Sequence, residues 1–471
     1  MGRLTPMPQG DPQSGAATPL LRAISLALIV TYLAAAQCIV DNPGGSKANI
    51  YRPTDSDVPT ATFSPLAHVN ETLPDWLCFT AGYRMRYEGY TAGSFQTGNS
   101  DSYLLTRFRL GMLLKPLRWL RVYTELQDAD AFWKDPKVPP YQSTWDLRRA
   151  YVDLGDIEQD PVAFRVGRQD LSFGWQRLLG TSYWRNASKG WDAAMMIVNW
   201  KMLRLNAFAA APVINYDNGL SHHQPGNDLH GVYSRWRNLI PQSDLEPYVL
   251  WRLTPGIKTE AGPLSKLDEK TVGLRWAGTA SHWDYDAEIA DQFGNIGTDR
   301  IRAWGWSGIA GYTLGSPALK PRLSFKYDYA SGDRNPKDGV HGTFDQLYPN
   351  IHDHHGLADQ VAWENLVSVR TVFRASVRRN WMISGAFNDW WLASAKDGFY
   401  NSSGSIVARD TRGMSGTHIG TELDLQTSYR FDRNLEVGAG AGHIFSGDFL
   451  LNTGHARAYT YPYVMLQYNF F

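Results

Sequence analysis

The chain of 471 residues has little cysteine, no net charge and, beyond its N-terminal stretch, no long apolar run. Each absence excludes something. Two cysteines, Cys38 and Cys78, cannot build a disulfide scaffold or a zinc framework; they leave one disulfide open. Lys plus Arg number 46 and Asp plus Glu number 46, so no whole-protein field draws the chain to nucleic acid or an acidic surface. No stretch after residue 36 is apolar over the roughly 20 residues that a transmembrane helix needs. A membrane span in this chain must therefore be β, because only helices and closed barrels satisfy every backbone group in lipid. Catalytic and cofactor signatures are missing as well. There is no nucleophile elbow, HExxH or P-loop, so no reaction and no cofactor is assigned.

What is present begins with Arg22 and the apolar run AISLALIVTYLAAA, residues 23–36. It is short for a span and ends in small residues, with Ala34, Ala35 and Ala36 fitting an A-x-A cleavage site. Residues 1–36 read as a secretory signal peptide. Cys38 follows closely enough to raise a lipoprotein signal, which Gln37 disfavours by standing where a small residue is expected. Residues 37–74, rich in Pro, Gly, Ser and Asp, read as a leader or linker with little structure.

From Trp76 on, the residues alternate with period two, which puts them on opposite faces of a sheet. Leu77, Phe79, Ala81, Tyr83, Met85 and Tyr87 fall on one face; Arg84, Arg86 and Glu88 fall on the other. The same split recurs with Phe108, Leu110 and Met112 against Arg107 and Arg109. It returns with Val152 and Leu154 against Arg149 and Asp153, and with Phe164 and Val166 against Arg165. In RLSFKYDYA, residues 322–330, Leu323, Phe325, Tyr327 and Tyr329 oppose Arg322, Lys326 and Asp328. A soluble sandwich would alternate too. The connections decide the class: joins alternate short and long, with long ones near 91–100, 130–143, 172–190, 211–228, 254–268, 331–362, 394–416 and 446–458. An up-and-down barrel in the outer membrane has short periplasmic turns and long external loops. The fold expected over residues 75–471 is all-β: a transmembrane antiparallel up-and-down barrel of about 18 strands. Both termini fall on the short-turn rim. The aromatic content of 13% suits barrel girdles. The last strand, YPYVMLQYNFF, ends on an aromatic and resembles the signal read by the outer-membrane insertion machinery.

In such a barrel the charged faces line the lumen. The first half is rich in arginine; in the second half Arg275, Arg322, Lys326, Arg370, Arg374 and Arg430 meet acidic partners such as Asp328 and Glu422. A cationic wall in a low-dielectric pore concentrates anions and repels cations, and the arginine fork matches carboxylates. Lumen arginines also pair with neighbouring acids in any wide barrel, so each residue has a structural reading beside the functional one.

Two stretches carry a family resemblance. The first is GRQDLSFGWQRLLGTSYWRNASKGWDA, residues 167–193; the second is YDYASGDRNPKDGVHGTFDQLYPN, residues 327–350. Together they resemble the alginate-export family of outer-membrane barrels, in the GRQ-x-L, RL and W-N segments and in YDYASGD…GTFDQLYP. The likeness covers most of the chain after residue 76. It implies an 18-stranded barrel, in the outer membrane of a Gram-negative-type bacterium, that passes a uronate polysaccharide through an arginine-rich constriction. By that likeness Arg149, Arg168, Arg322 and Lys326 join the path, with Arg84, Arg86, Arg107, Arg109, Arg165, Asp328 and Arg370 from the lumen face. The implied partners are an anionic polysaccharide or other anionic solute, outer-membrane lipid, and periplasmic export or scaffold proteins. Rival readings are a general anion-selective porin and, from another class, a barrel-borne hydrolase or lipase.

Two features sit awkwardly. If Val166 faces lipid, strict alternation puts Arg168 on the same face, so either the strand bulges at Gly167 or Arg168 lies above the hydrocarbon. The IHDHH run at 351–355 crowds metal-type ligands, but no partner spacing completes a site; an exposed loop is expected there.

Overall fold

The computed structural model describes residues 63–217, 219–315 and 319–470. The expected signal peptide and Cys38 lie outside the described residues. Cys78 is disulfide-bonded.

The alternating segments form one sheet of 20 strands, antiparallel but for the short Val340–His341 addition. Two of these, His222–His223 and Val340–His341, are two-residue additions; the remaining eighteen make the wall. Each wall strand pairs antiparallel with the next. The first, Leu77–Tyr90, pairs with the last, Tyr459–Asn469, in a register running from Gly82 opposite Asn469 to Glu88 opposite Tyr463. That pairing closes the sheet and removes its edges. Among the described residues no helix is long and apolar enough to cross a membrane, which leaves β-strands as their spanning elements.

The faces follow the alternation. In Arg322–Ala330, Leu323 is 54% exposed and Phe325 51%, while Arg322, Lys326 and Asp328 are buried inside. Tyr327 and Tyr329 pack outside on Trp306 and Trp304 of the neighbouring strand. Trp119 in its short turn, and Trp200, Trp283 and Trp381 at the short-turn ends of their strands, are exposed, where amphipathic rings anchor a barrel at the lipid–water interface.

The rims sort as expected, with two departures. The join predicted to be long at 254–268 is only 259–263, because Ser243–Lys258 and Leu264–Ala280 keep pairing past an irregularity between Thr254 and Ile257. On the same rim Trp283–Ile296 turns into Asp299–Thr313 through Gly297 and Thr298 alone.

The leader also departs from expectation. Pro65–Thr72 is a helix, opened by a proline at its start. It lies at the short-turn rim, where the Leu66 N–H donates to the Phe470 carbonyl at 2.9 Å. Asn70 trades two hydrogen bonds with the Phe79 backbone, both 2.9 Å.

Gly167 has φ +124°, and a Cβ there would meet the Ala150 carbonyl oxygen at 2.3 Å. Only glycine fits. The ladder nevertheless runs through Gly167 with no shift against either neighbour, so of the two resolutions for Arg168 the bulge does not occur. Arg168 stays on the face of Val166, near the long-loop end of its strand, and forms a two-bond ion pair with Asp192 at 2.8 and 3.1 Å.

Candidate functional site

Inside the wall, a cavity of about 1350 Å³ runs from the helix at the short-turn rim toward the middle of the barrel. Two long loops fold inward and border its inner end. One spans residues 170–190, the other residues 331–365. They hold most of the two stretches that carry the family resemblance, and they bind each other. The Gly180 N–H donates to the Tyr348 carbonyl at 2.9 Å, and the Tyr348 N–H to the Leu178 carbonyl at 2.8 Å. The Asn350 N–H donates to the Gln176 carbonyl at 2.9 Å. Close approach explains Gly180, where a Cβ would meet the Asn350 nitrogen at 2.6 Å. Beneath the paired strips Leu171, Phe173, Leu178, Leu179, Phe344 and Leu357 are buried in one apolar cluster. This inserted core gives the loops a fixed shape.

The charged faces of the wall hold the loops. Arg84 donates to the carbonyls of Tyr183 at 2.8 Å, Trp184 at 3.0 Å and Arg185 at 3.2 Å. Arg107 donates to Tyr183 at 2.9 Å and Arg185 at 3.1 Å. Arg86 reaches the Trp184 carbonyl at 2.6 Å, pairs with Glu88, and lays its guanidinium 4.0 Å from the Trp184 ring centre. Across the cavity Lys326 donates to the His354 carbonyl at 2.8 Å. Arg370 binds both the carbonyl and the carboxylate of Asp353, and Arg374 reaches that carboxylate at 3.1 Å. Charge-assisted hydrogen bonds contribute about 1.5–3 kcal/mol each, so these cations are anchors as well as sources of field.

Of the residues singled out from the sequence, Arg84, Arg107, Arg109, Arg149, Arg322, Lys326 and Arg370 border the cavity. Arg149 leans on Glu125 (Nε to Oε1, 3.1 Å), and Arg322 on Asp284 at 2.6 and 2.8 Å. The other four do not border it. Arg86 sits behind Trp184, and Arg165 is paired with Asp153 at 2.6 and 2.8 Å. Asp328 is buried between Lys326 at 2.7 Å and His355 at 3.3 Å. Arg168 is outside the wall. Altogether nine Arg and Lys (those seven with Arg374 and Arg433) face four acids, Glu71, Glu125, Asp353 and Glu436.

The histidine run is not an exposed loop. His354 and His355 are each 8% exposed, folded in against Lys326 and Asp328, because the loop that carries them is drawn into the barrel. Burial, with Lys326 nearby, pushes the His355 imidazole down to about 4 and His354 well below its ordinary value. Burial alone would raise the Asp353 carboxyl, but Arg370 and Arg374 outweigh it and hold the group well below the carboxylate range. Among the described residues no group of three or more His, Cys, Asp or Glu is placed to hold a metal ion.

Sequence reasoning missed Tyr183, Trp184 and His352, which also border the cavity. It noted their segments but had no signal that the loops turn inward. The density of Gly and buried-type aromatics in both loops was the available hint.

The profile of the family described as Alginate export matches residues 75–463. No curated protein matches. Among solved structures, Acinetobacter baumannii OccAB2 aligns with a TM-score of 0.57 at 9% identity, over 83% of this chain and 97% of that one. Pseudomonas aeruginosa OccK2 (OpdF), solved in complex with glucuronate, aligns at 0.54 and 10% identity, over 84% and 96%. The outer membrane protein opdK from Pseudomonas aeruginosa aligns at 0.50 and 9% identity, over 83% and 98%. At such identities the structures speak to the fold; the profile match spans most of the chain. The closed eighteen-strand wall, the two inserted loops and that match together place this chain in the alginate export family, as an outer-membrane β-barrel channel of a Gram-negative-type bacterium.

Proposed function

We propose that the barrel passes an anionic polysaccharide of the uronate class, or its fragments, through the cavity that the two inserted loops border. One observation carries the reading: nine basic side chains against four acidic ones border a cavity enclosed by a low-dielectric wall, and although Asp284 and Asp328 behind the lining offset Arg322 and Lys326, Arg84, Arg107 and Arg109 form hydrogen bonds to neutral groups alone. Such an enclosure focuses a positive potential, concentrating carboxylates and repelling cations. Family membership supports the polymer as substrate. In this reading outer-membrane lipid surrounds the wall, and periplasmic export or scaffold proteins meet the rim carrying the Pro65–Thr72 helix. No catalytic step is assigned to the chain.

A second reading has its own support. The OccK2 structure was solved with glucuronate, a single uronate, and the cavity here would suit a small organic anion as well as a chain. A chain and a monomer differ in how they occupy a pore. In a planar bilayer, an oligouronate of several units should interrupt the single-channel current in discrete events whose rate rises with its concentration. Monomeric glucuronate should interrupt it too briefly to resolve. If the monomer blocks as long as the oligomer, the small-solute reading replaces the polymer.

A further inference from the structure

Resting on that reading, we infer that the ring face of Tyr183 and the open edge of Arg109 form a subsite for one hexuronate unit, a pyranose ring carrying a carboxylate. Three aromatic residues of the 170–190 loop border the cavity: Trp175, Tyr183 and Trp184. Trp184 has no face to offer, since the Arg86 guanidinium lies 4.0 Å from its ring centre and the His352 ring 3.9 Å. Tyr183 is different. It is 41% exposed although it lies inside the barrel. Both its ends are pinned. Its hydroxyl donates to Asp170 at 2.8 Å, and its carbonyl accepts from Arg84 and Arg107. The ring cannot swing away to bury itself, so part of its apolar surface is held open to water, which is unfavourable until something covers it.

Arg109 supplies the second element. Its guanidinium carbon lies over the Tyr183 ring, 5.4 Å from the ring centre, well short of the 4.0 Å contact that covers Trp184. Nε donates to Gln127 at 2.9 Å and Nη2 to the Ser188 hydroxyl at 2.7 Å. Nη1 bonds to no described residue. The cavity thus presents a partly exposed aromatic ring and, over it, a guanidinium with one donor to spare.

That pairing selects among ligands. A peptide-type polyanion would use Arg109 and leave the ring bare, and a neutral sugar would do the reverse. A hexuronate has a C–H face that packs on an aromatic ring and a carboxylate at its edge, so it uses both.

The test is single-channel block in a planar bilayer by two probes of equal charge, trigalacturonate and triglutamate. On the unmodified protein trigalacturonate should stay longer; equal residence times overturn the subsite. Tyr183→Leu should shorten the trigalacturonate events about three- to tenfold, the range expected for one aromatic contact, and the triglutamate events much less. Tyr183→Phe keeps the face and should keep the sugar block. If Tyr183→Leu leaves the sugar events unchanged, or shortens both probes equally, the subsite is wrong while anion passage stands. If neither probe blocks the unmodified channel, the passage reading falls and takes the subsite with it.

Discussion

Trp184 and His352 stack with ring centres 3.9 Å apart and planes 2° from parallel. They come from different loops, each rooted in a different half of the barrel. The stack joins two inserted segments into one body across the lumen, with Arg86 covering the other side of the indole. What narrows the pore is therefore a paired structure that neither loop could form alone.

That pairing predicts coupling. Trp184→Leu and His352→Ala should each raise single-channel conductance and current noise by loosening the loops. In unfolding titrations the double variant should lose less stability than the two single losses added together, by about 0.5–1.5 kcal/mol. Strict additivity would mean that the rings lie together without supporting each other.

Gly180 tests the same joint through the backbone. A Cβ there would meet the Asn350 nitrogen at 2.6 Å, and the opposing group is main chain held by its own hydrogen bond. Gly180→Ala should cost about 1–3 kcal/mol, as overpacking does, and should alter conductance. Unchanged stability and conductance would show that the two strips separate freely.

The wall makes a prediction of its own. Leu423 is 51% exposed on the outside, while Gln426 borders the cavity. Arginine at 423 should cost about 2–4 kcal/mol on folding into lipid if the site is near the midplane, and arginine at 426 far less. Equal costs would put the register in error.

Acid should weaken the second loop. The His355 imidazole is held down at about 4 by burial, against about 6.5 in an unfolded chain. Between those values the unfolded chain binds the proton and the folded one does not. The contribution is therefore fully present above pH 6.5 and is lost as the pH falls through 4, about 3 kcal/mol in all. Unfolding followed from pH 7 to pH 4 should show the native protein losing more stability than His355→Gln. Parallel curves would refute the assignment.

The wall was legible in the sequence because one signal, period-two alternation, sets both strand and face. Leu323 and Phe325 outside with Arg322 and Lys326 inside follow from it directly. Closure followed from the alternation of short and long joins. The inserted loops were not legible, because nothing local distinguishes a polar loop that stays outside from one whose carbonyls are caught by arginines far away in the chain. Arg84 and Arg107 read as lumen charges that select anions or pair with neighbouring acids, and their bonds to Tyr183, Trp184 and Arg185 depend on tertiary structure alone. The histidine run was misjudged for the same reason. The Pro65–Thr72 helix was hidden by the polar composition around it, although its proline stands where helices begin.

The most direct test of the central claim is the zero-current potential of the channel in a salt gradient. The native protein should favour anions. Arg107→Glu with Arg149→Glu should weaken or invert that preference, since each cation stabilises a passing carboxylate at about 4–6 Å by on the order of 1–3 kcal/mol, less where water or Glu125 screens it. A cation-selective native channel, or a selectivity indifferent to the two reversals, would contradict the account.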